Sequence, residues 1–172
     1  MEIDLGHFVI REWRHGDEES LVRHANNPNV SRTLREIFPY PYTMDDATRW
    51  IACASAKSQT TDFAIVVDGE AAGGIGFVLP GDVGRRSAEI GYWLGEACWG
   101  QGIMTDALRA ISDYIFSNFD VCRISSIVFE SNPASARVLE KAGYSCEGRQ
   151  RKAVTKNGVT MDALMYSLIR EP

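Results

Sequence analysis

The stretch EIGYWLGEACWGQGIMTDALRA, from Glu89 to Ala110, concentrates residue types whose order could do chemistry. An alternating segment runs into Gly100-Gln101-Gly102 and then into a helix-period pattern marked by Met104, Leu108, Ile111 and Ile115. Glycine carries no Cβ, so a ligand can approach the backbone closely, and the first turn of the following helix leaves amide donors unpaired at its positive end. Together these properties make a cradle for phosphate groups. The plain alternative is that Gly100 and Gly102 permit a tight turn and nothing more.

Positioning such a cradle takes a strand before it and a helix after it, and the rest of the chain supplies a consistent frame. The 172 residues fall within the usual range of about 100–200 per domain, which predicts a single domain over 1–172. Gly6 to Trp13 reads as a strand and Asp17 to Ala25 as a short helix. Phe38 to Thr43, FPYPYT, must be a loop, because Pro39 and Pro41 lack amide donors and bias their predecessors toward extended forms. Thr43 opens a helix with Ala47, Trp50, Ile51 and Ala54 on one face. Strands follow over Asp62 to Val67, Ala71 to Leu79 and Arg86 to Leu94, the first two joined by the hairpin dipeptide Asp68-Gly69. Beyond the helix that starts at Gly102, Arg123 to Phe129 reads as a strand. Pro133 to Ala142 is a helix ended by Gly143, and Tyr144 to Val154 and Val159 to Ile169 form a hairpin around Lys156-Asn157-Gly158. The predicted class is α/β with a mixed sheet: an antiparallel meander, a strand–helix–strand–helix crossover and a C-terminal hairpin.

Composition narrows the partners. Eighteen Lys and Arg against 23 Asp and Glu leave a net charge of −5, which disfavours a nucleic-acid-binding domain. No apolar run approaches the ~18 residues of a membrane span, and the acidic start MEIDLGHFVIREW is unlike a signal sequence, so a cytoplasmic protein without a membrane partner is expected. Cys53, Cys98, Cys122 and Cys146 form no CxxC pair, which argues against zinc or redox chemistry and predicts four buried small hydrophobes. His7, His15 and His24 have no ligand spacing, and no metal site is predicted. Nucleophile elbows and HExxH patterns are absent. Arg149, Arg151 and Lys152 read as a solvated strand edge that discourages pairing.

A phosphate cradle suits a dinucleotide or coenzyme A. The third glycine position of a dinucleotide fingerprint is Thr105, and an antiparallel meander precedes the turn, so that reading is weak despite Glu130 where an acidic residue is wanted. Trp99 to Leu108, WGQGIMTDAL, resembles the acetyl-CoA pyrophosphate motif of the GNAT superfamily of N-acetyltransferases. Glu130 to Tyr144, ESNPASARVLEKAGY, is similar to that superfamily's second signature, and AEIGYWLG with PYPYTMDDATRWI resembles its ribosomal-protein N-terminal acetyltransferase branch. Of the pattern Arg or Gln, two residues, Gly, one residue, Gly or Ala, which falls on Trp99, Gly102 and Met104, only the central Gly is kept. Where many members carry a proton-donating Tyr, this chain has Leu139.

The resemblance implies acetyl transfer from acetyl-CoA to a primary amine in a ternary complex. The acceptor would be a protein N-terminal α-amine, with a ribosomal protein as one candidate, or a small-molecule amine. It implies coenzyme contacts at Tyr92, Trp93, Leu94, Trp99, Gly100, Gln101, Gly102, Ile103, Met104, Thr105 and Asn132. The amide of Leu94 would polarise the thioester carbonyl, and Ser135 would lie near the sulfur. Arg137 is either a phosphate contact or a solvated side chain. Glu89 is either the base or an outward carboxylate, since a strand puts Glu89, Gly91 and Trp93 on one face unless a bulge intervenes. Asn132 also has a plain role as N-cap before Pro133, and Ser135 as a helix-capping residue. Phe38, Tyr40 and Tyr42 either wall the acceptor pocket or fold over the core. The different-class alternative is a non-catalytic coenzyme-A-binding domain; either leaves room for a homodimer.

Overall fold

The computed structural model describes residues 1–56 and 59–171. Strands β1 (Glu2–Asp4), β2 (Val9–Glu12), β3 (Asp62–Val67), β4 (Glu70–Val78), β5 (Ser87–Leu94), β6 (Arg123–Phe129), β7 (Ser145–Lys156) and β8 (Val159–Ile169) hydrogen-bond in the order β1-β2-β3-β4-β5-β6-β8-β7. The helices are α1 (Glu18–Ala25), α2 (Pro28–Ser31), α3 (Met44–Ser55), α4 (Ile103–Asn118) and α5 (Pro133–Lys141). β5 and β6 pair in parallel, as the intervening α4 requires, whereas β2–β3, β3–β4, β6–β8 and β7–β8 are antiparallel. The mixed α/β class expected from the sequence is the observed one. Backbone contacts group into two compact units, Met1–Gly76 with Tyr92–Ile103, and Phe77–Gly91 with the chain from Met104 onward; β4, β5 and α4 run from one into the other.

In the first unit the expected strand over Gly6 to Trp13 is shorter, Val9–Glu12, because a turn at Gly6 (φ 85°) folds the three-residue β1 back against it. So short an edge strand leaves no periodicity to read. Asp68 and Gly69 both adopt positive φ, 50° and 84°, as a two-residue hairpin turn demands. Thr43 caps α3 reciprocally: its hydroxyl accepts from the Asp46 amide at 3.2 Å and its own amide donates to the Asp46 carboxylate at 2.9 Å. Ala47, Ile51 and Ala54 then enter a core with Trp13, Leu21, Ala25, Tyr42, Ala64 and Ala71. Trp50, expected on the same face, sits on its flank and stays 37% exposed, touching Trp13 edge-on at 6.4 Å between centroids. A large ring at the margin of an apolar stripe buries one edge only.

Asp17 ties α1 to β2. Its carboxylate accepts two 2.8 Å bonds from the Arg11 guanidinium and one of 2.9 Å from the Arg14 amide. Burial alone would raise the Asp17 carboxyl, but these donors outweigh it and hold it below the usual range. Stability from a depressed carboxyl is present above the unfolded value of about 3.9 and is lost as pH falls through the folded value. Asp17→Asn strands a guanidinium only 11% exposed. We expect a melting temperature lower by about 5–10 °C at pH 7. Melting curves over an acid series should show that deficit closing as the wild-type carboxyl protonates.

The second unit buries Leu108, Ile111, Ile115, Ile124, Leu139, Ala163 and Tyr166. Asn157 and Gly158 turn the last hairpin with φ of 50° and 78°, so β7 continues through Lys156, beyond the expected Val154. β7 is the sheet edge, and register shifts interrupt it at Cys146/Gly148 and Gln150/Val154. Within the basic cluster Arg149 donates to both Glu130 and Asp162, at 3.0 Å each. The expectation of four buried cysteines fails: Cys98 is buried and Cys122 half-buried, but Cys53 and Cys146 are exposed. Cys53 lies off the inward stripe of α3, and Cys146 lies on the edge strand.

Candidate functional site

β4 contains Gly73-Gly74-Ile75-Gly76, an unusual run for a strand, and close neighbours explain it: the end of β5 at Gly73, the Trp93 and Trp13 rings at Gly74, and Asp62 at Gly76. A Cβ on Gly73 would lie 2.7 Å from the Trp93 carbonyl oxygen and 2.9 Å from Leu94 Cδ1; one on Gly74 would lie 2.7 Å from Trp93 Nε1. The backbone of Trp93 and Leu94 therefore lies where a side chain at Gly73 would stand, and the Trp93 indole where one at Gly74 would. The Gly95 amide donates to the Ala72 carbonyl at 2.7 Å, and Trp99 Nε1 donates to the Leu94 carbonyl at 2.7 Å. Trp99, expected at the coenzyme, thus uses its indole donor to fold its own loop. Gln101 does the same, its Nε2 donating to the Ala97 carbonyl at 3.1 Å.

Trp93 turns into an aromatic stack. Its ring meets Phe38 at 5.5 Å, and Phe38 meets Tyr42 at 5.1 Å. Tyr42 is 5% exposed, and burial, with the Asp46 charge adding to it, pushes its phenol up to about 12 against the opposing effect of Arg49. Of the three aromatics expected around an acceptor, Tyr42 is in the core, Phe38 is half-buried against it and Tyr40 is exposed.

Gly100 and Gly102 have φ of 76° and 83°, and a Cβ at either would meet no atom within 4 Å. The left-handed backbone favours glycine on conformational grounds, and the empty space beside each leaves the chain open to a ligand. α4 begins at Ile103 and runs for 16 residues. Ile103, Met104 and Thr105 are 1%, 7% and 8% exposed, so their side chains point inward and only main-chain amides remain for a ligand. Met104, which replaces the small residue of the resembled pattern, is accommodated by that inward turn.

In the second unit Glu89 is exposed between buried Ala88 and Ile90, at Glu89↔Ser125 in the β5–β6 register, and Gly91 is exposed in turn. The strand alternation is thus unbroken through Gly91. Asn132 caps α5, its Oδ1 accepting from the Ser135 amide at 3.2 Å, and Ser135 is half-buried in the first turn. Arg137 is an exposed side chain paired with Glu140 at 3.1 Å. Leu139 is fully buried, so the residue at the resembled tyrosine position serves packing. The Tyr144 phenol bonds to Ser112 at 2.7 Å, and burial outweighs that bond to push it up to about 12. Glu130, the residue that kept a dinucleotide reading open, accepts from the Asp162 amide at 2.9 Å and from Arg149. Among the described residues no group of three or more His, Cys, Asp or Glu could hold a metal ion, and no helix is long and apolar enough to cross a membrane.

Sequence reading missed the glycines of β4, whose signal was AAGGIGF in a segment otherwise fit for a strand; it took His24 as a surface or structural residue and gave Asn27 and Asn29 no role. The last three contact the segment after β5, at distances in the chain that no local pattern encodes.

Comparison with known proteins identifies the family. Residues 7–145 match the family model described as "Acetyltransferase (GNAT) domain". "Probable N-acetyltransferase YjcK" of Bacillus subtilis is 44% identical over 84 residues, 49% of this chain and 46% of that protein, so the chain aligns with about half of that relative's length. "Putative ribosomal N-acetyltransferase YdaF" of the same organism is 30% identical over 146 residues, 85% of this chain and 74% of the other. The solved structure of RimL, described as a ribosomal L7/L12 alpha-N-protein acetyltransferase in complex with coenzyme A, shares the fold with a TM-score of 0.86 over 98% of each chain at 23% identity. With its family model covering most of its length and a relative aligned over most of both sequences, this chain belongs to the GNAT family of acetyltransferases.

Proposed function

We propose that the protein transfers an acetyl group from acetyl-CoA to a primary amine by direct attack in a ternary complex, and that a protein N-terminal α-amine is the preferred acceptor. The observation that carries the reading is the start of α4: two left-handed glycines with no neighbour within 4 Å of a Cβ, followed by a long helix whose first side chains face inward. Fixed amides at a helix N-terminus match a pyrophosphate without any basic side chain. That suits a chain whose net charge is −5, where the anion must be held locally while the acidic excess attracts a cationic amine.

The residues divide the work as follows. Amides from Gln101 to Thr105 take the pyrophosphate, and Asn132 and the edge of Tyr92–Leu94 hold the extended arm. Arg137 exchanges its Glu140 partner for a phosphate. The Leu94 amide donates to the thioester oxygen as it gains charge. Glu89, directly or through a water, accepts the proton that the attacking amine releases as its nitrogen bonds to the acetyl carbon. Ser135 donates a hydrogen bond to the sulfur as the C–S bond breaks. Tyr40 is the exposed aromatic offered to the acceptor, with Phe38 and Tyr42 backing it from the core. A terminal α-amine, with a pKa of about 7.7–8.0 against about 10.4 for lysine, needs only a weak base, in keeping with so spare a set of groups. The relative YdaF, described as a putative ribosomal N-acetyltransferase, supports a protein acceptor.

The test is acetyl-CoA-dependent thiol release across a panel of peptides with free N-termini, lysine side chains and small amines. Turnover on free N-termini supports the reading. Coenzyme binding with no turnover on any amine overturns it in favour of a binding domain.

A further inference from the structure

The backbone from Leu94 to Glu96 is held from four directions within the first unit. Trp99 Nε1 takes the Leu94 carbonyl and the Ala72 carbonyl takes the Gly95 amide, both at 2.7 Å. The remaining two holds come from α1 and α2. His24, near the end of α1, lies against Gly95 so closely that a Cβ there would be 2.6 Å from its Nδ1 and 3.0 Å from its Cβ and Cγ. The other edge of the ring is fixed, since Nε2 donates to Glu70 Oε2 at 2.9 Å and Arg23 takes the second carboxylate oxygen. The side chain of His24 is 14% exposed. Asn27 Nδ2 then donates to Glu96 Oε2 at 2.7 Å, and Asn29 Nδ2 reaches both Glu96 oxygens at 3.0 and 3.1 Å.

α1 is itself anchored to β2 through Asp17 on Arg11 and to β4 through Ser20, whose hydroxyl accepts from the Ala71 amide at 3.1 Å. The helix is therefore a fixed post from which His24 and, just beyond it, Asn27 and Asn29 reach out. None of these contacts builds a core: Asn27, Asn29 and Glu96 are polar and solvent-accessible, and Gly95 offers no side chain to pack. Their common effect is to define where the backbone leaves β5.

We infer that His24, Asn27 and Asn29 are positioning residues that fix the Leu94–Glu96 backbone, and through it the direction of the Leu94 amide. The catalytic part of this inference rests on the role proposed above for that amide; the mechanical part does not. An oxyanion donor must be within a few tenths of an ångström of where charge develops, and a displacement of about 1 Å can cost about 100-fold in rate. A main-chain donor cannot be re-aimed by a rotamer change, so its accuracy is that of the segment carrying it.

The experiment compares wild type, His24→Ala, His24→Gln and the double variant Asn27→Ala/Asn29→Ala by residue-resolved amide exchange and by steady-state kinetics. The Gly95 amide should lose about tenfold or more of its protection in His24→Ala and in the double variant, while Ile111, deep in α4, keeps its own. Glutamine can present a donor where Nε2 stood, so His24→Gln should recover at least half of the loss on a logarithmic scale. In the same two weakened variants kcat should fall by about 10- to 100-fold with coenzyme Kd within about threefold. Unchanged protection at Gly95 overturns the inference, as does protection lost equally at Gly95 and Ile111, which would mean a general loss of stability. Lost protection with unchanged kcat overturns the catalytic part. If wild type itself turns over no amine, the proposed function and the catalytic part fall together, and exchange at Gly95 still decides whether these residues hold the segment.

Discussion

Gly102→Asp is expected to weaken coenzyme binding by more than 100-fold. Gly102 directly precedes α4 with φ of 83°, and a Cβ there meets open space, so the aspartate folds without a clash and its charge projects beside the first-turn amides. At about 5 Å from a phosphate charge, with an effective dielectric constant of about 20, the repulsion is about 3 kcal/mol. That corresponds to more than 100-fold in Kd. Left-handed strain at this position and the favourable charge at a helix N-terminus oppose each other, so the melting temperature should change little while affinity collapses. Gly102→Asn is the control, because asparagine tolerates the left-handed conformation nearly as well and carries no charge. Titration calorimetry with coenzyme A should give a Kd for the asparagine variant within about tenfold of wild type. Similar losses in both variants would mean that backbone strain rather than charge governs the site, and tight binding by the aspartate variant would remove the helix start from coenzyme recognition.

The second large effect is expected at Ser135. Ser135→Ala should lower kcat by about 10- to 100-fold, the range of a lost donor to developing charge, with coenzyme Kd within about threefold. The capping role separates cleanly from the catalytic one. The cap bond runs from the Ser135 amide to Asn132 Oδ1, and alanine keeps that amide, so the cap of α5 survives the substitution. Asn132→Ala removes the acceptor and should cost about 1 kcal/mol of stability. Unchanged kcat in Ser135→Ala takes the hydroxyl out of the mechanism. Leu139 carries no acidic proton and the Tyr144 phenol is buried and bonded to Ser112, so neither offers a substitute proton donor.

Much of this molecule is legible in its residues because the signals are local. Asn132-Pro133 and Gly143 bracket α5, Thr43 with Asp46 starts α3, and Asp68-Gly69 and Asn157-Gly158 turn their hairpins in the left-handed conformations that only such residues adopt readily. The glycine-flanked start of α4 belongs with them: strand, turn and helix occur in the order that a phosphate site needs, and the observed φ values are those the glycines permit. Each depends on a few consecutive residues and on backbone sterics, so no distant partner is required to read it.

What only the tertiary structure decided is which side chains are available. Trp99 and Gln101 stand within the cradle motif yet spend their donors on the loop beneath it, and Phe38 and Tyr42 stack under Trp93, leaving Tyr40 as the exposed member of their group. Gly73 and Gly74 read as weak strand residues until the end of β5 is seen lying against them, and His24 has no pattern at all until its ring is found on Gly95. The physical reason is common to all of these: the type of a residue limits what it can donate, accept or pack, but its partner is chosen by a neighbour brought close by folding. The amino-acid sequence by itself determined the order of elements, the turns and the glycine-flanked start of α4; the packed fold determined which side chains around that start are already engaged.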